Sequence, residues 1–246
     1  MEGRAGNNDA PDLVLASLNL HGGRGQDGTP FDVGAACHQL AADLVVLQKA
    51  WQPAGQPDPV AQAASALGAR LIRADLLADT SLRSLNIAPD GARGRWGLAV
   101  LSTLPVTSYE LVDLGRSGGD PISRAAQLVT VTTPAGAALR VANAHLTHRY
   151  FSPVQLVRLL RRLAADPVPT VIAGDLNMPA PVTGLAVGYS PAVRGRTFPA
   201  GRPVVQLDHI LAGRGTCARD GQVMPAAGSD HLPIRARVRV RVRPPH

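Results

Sequence analysis

The chain has 246 residues, 45% of them hydrophobic, and a formal net charge of +7. That length allows one large α/β domain or two small ones with a substantial core. No apolar run reaches the roughly 18 residues of a membrane span. Aromatic residues, at 3%, argue against base-stacking grooves for single-stranded nucleic acid. The two cysteines, Cys37 and Cys217, fit no metal or disulfide framework. A basic surface attracts phosphates by its field alone but does not identify a ligand. The polar start "MEGRAGNNDAPD" lacks the apolar core of a secretion signal, which predicts a cytoplasmic protein. Residues 1–11 read as a disordered tail, and 12–243 as a single domain.

In chain order, "DLVLASLNL" (12–20) predicts a strand and "FDVGAACHQLAA" (31–42) has helical apolar spacing. "DLVVLQ" (43–48) is a short continuous apolar run, hence a buried strand. "PDPVAQAASAL" (57–67) predicts a second helix with proline near its start, and "ARLIRA" (69–74) a further strand. Residues 75–95, with Gly91 and Gly94, read as an exposed loop. Strands separated by short turns follow at 97–102, 106–114, 125–133 and 138–146. "SPVQLVRLLRRLAA" (152–165) is an amphipathic helix with Ser152 expected as its N-cap and Pro153 at its first position. Strands at 169–177 and 206–212, the segment 221–228 and a strand at 233–242 complete the chain. In the last, Arg237, Arg239 and Arg241 alternate with valines, which reads as one solvated face. Mixed βα units and antiparallel hairpins suggest two sheets with helices outside.

Polar residues recur immediately after the apolar strand runs, where a strand end projects side chains into a cleft. They are Asn19, Lys49, Asn143 with His145, Asp175 with Asn177, Asp208 with His209, and Asp230 with His231. One such placement would be unremarkable, since Asp-His pairs occur at surfaces and "GDLN" can be a turn.

The ordered series "WGLAVLS" (96–102), "VANAHL" (141–146), "IAGDLNMP" (172–179), "LDHILA" (207–212) and "SDHLPI" (229–234) resembles the endonuclease/exonuclease/phosphatase family. The resemblance covers nearly the whole chain and implies a four-layer α/β/β/α sandwich of two mixed sheets. It implies phosphoester hydrolysis, in which Asp175 orients and deprotonates the attacking water and Asn177 holds the phosphate or nucleophile. His231, oriented by Asp208, would contact a phosphoryl oxygen, and His145 would supply a second donor. Asn19 and Asp230 would be the surviving members of a site for Mg²⁺ or Mn²⁺. Asn143, His148, Arg149 and Trp96 are candidates for substrate contact, whereas His209 reads as structural.

Position 49 departs from that family's pattern. Where the family reads "LQE", with the glutamate a principal metal ligand, this chain reads "LQK". Lys49 is the only lysine among the 25 lysine and arginine residues, and glutamate occurs only at Glu2 and Glu110. A charged ammonium has three donors and no acceptor, so it cannot coordinate a metal. A glutamate and a divalent ion together carry one positive charge, as one lysine does. Lys49 therefore reads in several ways: as a replacement for the metal, salt-bridged to Asp230, or as the mark of a disabled phosphoesterase. It also reads as a desolvated base or nucleophile for other chemistry, or as a strand-end surface lysine. The cofactor is then Mg²⁺ or Mn²⁺ if the residual site still holds one, or none. Few aromatics and no recognisable DNA-clamping insertion favour a small or lipid-like phosphoester over nucleic acid, acted on by a monomer.

Overall fold

A computed structural model of the chain describes residues 12–87, 89, 91–120, 122–148 and 150–241. The expected tail (1–11), Arg149 and the end of the last strand beyond Arg241 lie outside the described residues. Strand β1 (Leu13–Asn19) leads through helix α1 (Val33–Gln39) to β2 (Leu44–Pro53). Helix α2 (Pro59–Ala66), β3 (Arg70–Ser81), β4 (Arg93–Ser102), β5 (Val106–Gly115), β6 (Arg124–Thr132) and β7 (Ala138–His145) follow. The chain continues with α3 (Ser152–Ala164), β8 (Thr170–Asp175), β9 (Ser190–Pro191), β10 (Asp208–Ala212), β11 (Thr216–Val223) and β12 (Ile234–Val240). No described helix is long and apolar enough to cross a membrane.

Two six-stranded mixed sheets face each other, ordered β11-β12-β1-β2-β4-β3 and β5-β6-β7-β8-β10-β9. Each has one parallel pair near its centre, β1 with β2 and β7 with β8. Parallel neighbours need a crossover connection, and here each crossover carries a helix, α1 or α3.

Alternation along each strand builds the layers. Leu13, Leu15, Leu44 and Val46 of the first sheet meet Val129, Val141, Val171 and Ile210 of the second in the central core. Their neighbours Ala16, Leu18, Val45 and Leu47 face outwards and are covered by Val33, Ala36 and Cys37 of α1 and Val60 and Ala63 of α2. Leu128, Ala142 and Ile172 are covered likewise by Leu156, Leu159 and Leu163 of α3. The result is the expected α/β/β/α sandwich. Central strands read as unbroken apolar runs because both of their faces are buried.

The structure corrects two local expectations. Residues 75–95 are not an exposed loop: β3 and β4 continue as a hairpin to Ser81 and from Arg93. Leu82 and Ile87 of its tip are buried against Trp51 and Trp96. Irregularities between Asp75 and Leu77, and between Leu77 and Thr80, break the period-two pattern and hide the strand from the sequence. Helix α3 begins one residue early. Phe151 is its N-cap, and its carbonyl accepts from Val154 and Gln155, so Ser152 is already the first helical residue.

A polar seam crosses the central core. The fully buried Asn143 of β7 donates to the carbonyls of Leu47 (3.1 Å) and Ala99 (3.0 Å) in the opposite sheet, and accepts from Gln48 at 2.8 Å. Truncating a buried amide strands each of these partners at about 1–3 kcal/mol apiece. Asn143→Ala is therefore expected to lower stability by about 3 kcal/mol in urea unfolding, with the unfolding slope unchanged. A loss below about 1 kcal/mol would show that the seam does not hold the sheets in place.

Candidate active site

The carboxyl ends of the two parallel pairs lie at one edge of the sandwich. In open α/β sheets ligands bind at such strand ends. Asn19 ends β1, His145 ends β7 and Asp175 ends β8, with His145 and Asp175 directly opposite in register. Asp208, at the start of the antiparallel β10, pairs with Asp175. Asp230 and His231 lie just before β12, the antiparallel neighbour of β1. Gly174 lets β8 reach this edge: its φ is +140°, and a Cβ there would lie 2.0 Å from the Ala144 carbonyl oxygen.

Asp175 is 1% exposed and sits at the centre of the group. One carboxylate oxygen accepts from the Asn19 amide at 2.9 Å, and the other from the Asn177 backbone N–H at 3.0 Å. Nε2 of His145 and Nε2 of His231 lie 3.6 and 3.8 Å from the first oxygen. Burial raises the Asp175 pKa and Asp208 adds to this, while His231, Lys49 and the Asn177 N–H counter them. Burial disfavours the His231 imidazolium, yet Asp208 (2.8 Å from Nδ1), Asp175 and Asp230 outweigh it and hold its pKa at about 9. His231 is thus a cation at neutral pH, with Nδ1–H on Asp208 and Nε2–H towards Asp175.

His145 has the opposite character. Burial, then Arg124, Lys49 and His231, push its pKa well below the ordinary histidine value. Arg124 Nη1 lies 3.1 Å from His145 Nδ1. The same Nη1 lies 3.4 Å from Nε2; a guanidinium only donates, so assigning its bond to the nearer Nδ1 leaves the His145 proton on Nε2, 3.6 Å from Asp175. Sequence reasoning did not single out Arg124. Its signal was an arginine opening the apolar run "RAAQLVTV". It is 5% exposed, held by Asp120 at 2.8 Å, and Asp120 also accepts from Thr147.

His21, Lys49, Trp96, Arg124, His145, His148, Asp175, Asn177, Asp230 and His231 line a cleft of about 590 Å³. Ile87, Ile122, Phe198 and Leu207 form its apolar wall. Of the other expected residues, Asn19 and Asp208 act from beneath Asp175 and His231, and Asn143 belongs to the seam between the sheets. His209, as its structural reading anticipates, is buried with Nε2 on the Met178 carbonyl at 2.8 Å. The expected salt bridge between Lys49 and Asp230 does not form. Among the described residues Lys49 has no ion-pair partner, and Asp230 faces His21 Nε2 at 3.6 Å.

Four residues of the cleft, His21, Lys49, Asn86 and Asn177, have left-handed backbone conformations. Histidine and asparagine tolerate this region, whereas lysine rarely enters it. The cause is a bulge between Leu47 and Ala50. Leu47 and Ala50 both face the outer helices and Gln48 faces the inner seam, so the inserted Lys49 leaves the pleat.

The family model described as "Endonuclease/Exonuclease/phosphatase family" matches residues 16–231. The chain belongs to the endonuclease/exonuclease/phosphatase family. Its members are phosphoesterases and nucleases, typically dependent on a divalent metal. A member from Beutenbergia cavernae is 22% identical, with a TM-score of 0.67 over 93% of this chain and 72% of that one. The catalytic domain of human Nocturnin, solved with bound sulfate, is 14% identical, with a TM-score of 0.69 over 94% of this chain and 96% of its own. A mannosyl-6-phosphatase of Bacteroides thetaiotaomicron is 15% identical, with a TM-score of 0.69 over 92% of this chain and 99% of its own. At these identities the structures show the shared fold. No curated protein sequence matches the chain.

The donor set fits a divalent ion poorly. Asp175, Asp208 and His231 offer ligand atoms within 4.8 Å of one another, a spacing one cation could bridge. Asp208 and His231, however, are committed to each other through Nδ1 at 2.8 Å, and one Asp175 oxygen to the Asn19 amide at 2.9 Å. Around Lys49, both amide atoms of Asn19 are engaged, by Asp175 and by the His21 N–H, and Asp230 Oδ2 faces His21 Nε2 at 3.6 Å. The Lys49 ammonium beside these oxygens repels a divalent ion and has no lone pair with which to ligate one.

The charge on His231 makes stability depend on pH. Its folded pKa, about 9, lies above the ordinary 6.5, so the stabilisation is complete below pH 6.5 and lost as pH rises through 9. The neutral His145 contributes in the opposite sense, below that window. Unfolding free energy is expected to fall by about 3 kcal/mol from pH 6.5 to 9.5, and His231→Gln to flatten the curve. An unchanged slope in the variant would assign the loss to other groups.

Proposed function

We propose that this protein hydrolyses phosphoesters, with Asp175 as base and the Asp208–His231 pair as acid. The observation that carries this reading is the set of groups converging on the buried Asp175 beside one cleft: a neutral imidazole, an imidazolium and an amide. A water in the cleft attacks phosphorus, and its proton passes to Asp175 as the new O–P bond forms. The ester P–O bond breaks and the leaving oxygen takes the proton of His231. Asp175 then returns a proton to His231, whose Nε2 lies 3.8 Å away. Nε2–H of His145 and the Asn177 amide hold the phosphoryl oxygens, and no step is assigned to a metal.

The apolar wall and the modest volume favour a small or lipid-like phosphoester, handled by a cytoplasmic monomer. His148 and Trp96, which line the cleft, would touch the non-phosphoryl part of the substrate. One observation favours a second reading. The unpaired Lys49 suits a family member that binds an anionic ligand without turnover or uses Lys49 for other chemistry.

Hydrolysis of chromogenic phosphomonoesters and phosphodiesters separates the two readings. Asp175→Asn and His231→Gln, each assayed at a temperature where circular dichroism shows the variant folded, are expected to lower kcat by about 10²–10⁴-fold. The acid must keep its proton, so kcat/KM is expected to fall above about pH 9, and Asp208→Asn to move that limb to lower pH. Turnover indifferent to both substitutions would sink the roles given to Asp175 and His231, and phosphate binding without turnover of any ester would sink the hydrolase reading and favour the second.

A further inference from the structure

We infer that Lys49 stands as a fixed ammonium where a family member would place a carboxylate and its divalent ion, so that the cleft binds the phosphoryl group without metal. This rests on the phosphoesterase reading and adds the chemistry by which the group is held. Three observations carry it.

The first is the direction of the side chain. In an unbroken strand, residue 49 would follow Leu47 onto the face beneath α1 and α2. The bulge gives that place to Ala50 and turns Lys49 into the cleft beside Asp175, His145 and Asp230. The left-handed backbone, φ 51°, costs a non-glycine residue roughly 1–2 kcal/mol. Strain of this kind clusters at sites of function.

The second is the free state of the ammonium. Its three donors meet no ion-pair partner among the described residues, while its field already acts on His21, His145 and Asp175. An unpaired donor cation between two imidazoles and a carboxylate is suited to a phosphoryl oxygen.

The third is the absence, among the described residues, of a glutamate near Lys49 to take the place of the missing ligand. Glu110 lies on β5, paired with Arg162, and Glu2 lies outside the described residues. No covalent bond to Lys49 forms or breaks in the reaction.

The test uses the full chain and two probes, inorganic phosphate by calorimetry in EDTA and Mn²⁺ by paramagnetic resonance. The wild-type chain is expected to bind phosphate in EDTA and to take up no Mn²⁺. Lys49→Ala should weaken phosphate binding by about tenfold or more, and Lys49→Arg should retain part of it. Lys49→Glu, its folding checked by circular dichroism, should gain Mn²⁺ binding and lose phosphate binding in EDTA. Mn²⁺ binding by the wild-type chain, no phosphate binding in EDTA, or phosphate binding indifferent to Lys49→Ala would overturn the inference. Hydrolysis that requires Mg²⁺ would likewise overturn it while leaving the hydrolase reading intact. The expected binding pattern with no hydrolysis of any ester would uphold the metal-free site and remove the hydrolase reading.

Discussion

The bond from the Asn19 amide to the Asp175 carboxylate, 2.9 Å long and fully buried, joins the end of a strand in one sheet to the end of a strand in the other. A carboxylate in such a place is untenable without partners. Asp175 finds them from both sheets and from the turn behind it. The relative setting of the two sheets is therefore fixed at the point where the reactive groups meet. A slip of one residue in β1 or β8 would turn Asn19 or Asp175 to the opposite face and leave the other buried and alone. The seam of Gln48 and Asn143 performs the same task one layer deeper, through backbone carbonyls that cannot move independently of their strands.

The edge where these groups gather follows from the connections. Each sheet contains one strand–helix–strand unit, and the parallel pairing it creates brings the carboxyl ends of both strands to the same edge. Antiparallel neighbours then deliver their own starts to that edge, which is why Asp208 and the Asp230–His231 pair arrive from elsewhere in the sequence. The pleat provides orientation, and the bulge and tight turns at Lys49, His21 and Asn177 aim the side chains that the pleat would misdirect. Left-handed backbone is accordingly concentrated at the cleft.

Much of this was legible in the residues. The apolar runs mark the central strands because burial on two faces leaves no polar alternation to confuse, and the ordered strand-end motifs locate Asp175, Asp208 and His231. What was not legible depends on contacts between distant segments. The hairpin over 75–95 was hidden by irregularities that break its period. Arg124 reads as one more arginine until Asp120 and His145 are seen on either side of it. Asn143 looked like a cleft residue because a strand-end pattern does not tell which of two buried faces a side chain enters. The isolation of Lys49 could not be foreseen either, since only the fold shows that Asp230 turns to His21 instead.

The electrostatics of the cleft give these details a common sense. Asp175, Asp208 and Asp230 bring three carboxylates into a poorly solvated space, and a dianionic phosphoryl group would be repelled from it without compensation. His231 offsets one of them through the Asp208 contact, and Arg124 is held against Asp120. Lys49, without an ion-pair partner among the described residues, then adds an uncommitted positive charge to the cleft. A neutral His145 can sit among these cations only because burial and their combined field keep it unprotonated, and in that state it still presents one N–H to an oxyanion. The cleft thus combines a fixed cation, a protonated acid and a neutral donor around one base. Each holds its charge state because of the others, so replacing the ammonium with a carboxylate would disturb His145 and His21 as well as the phosphate site.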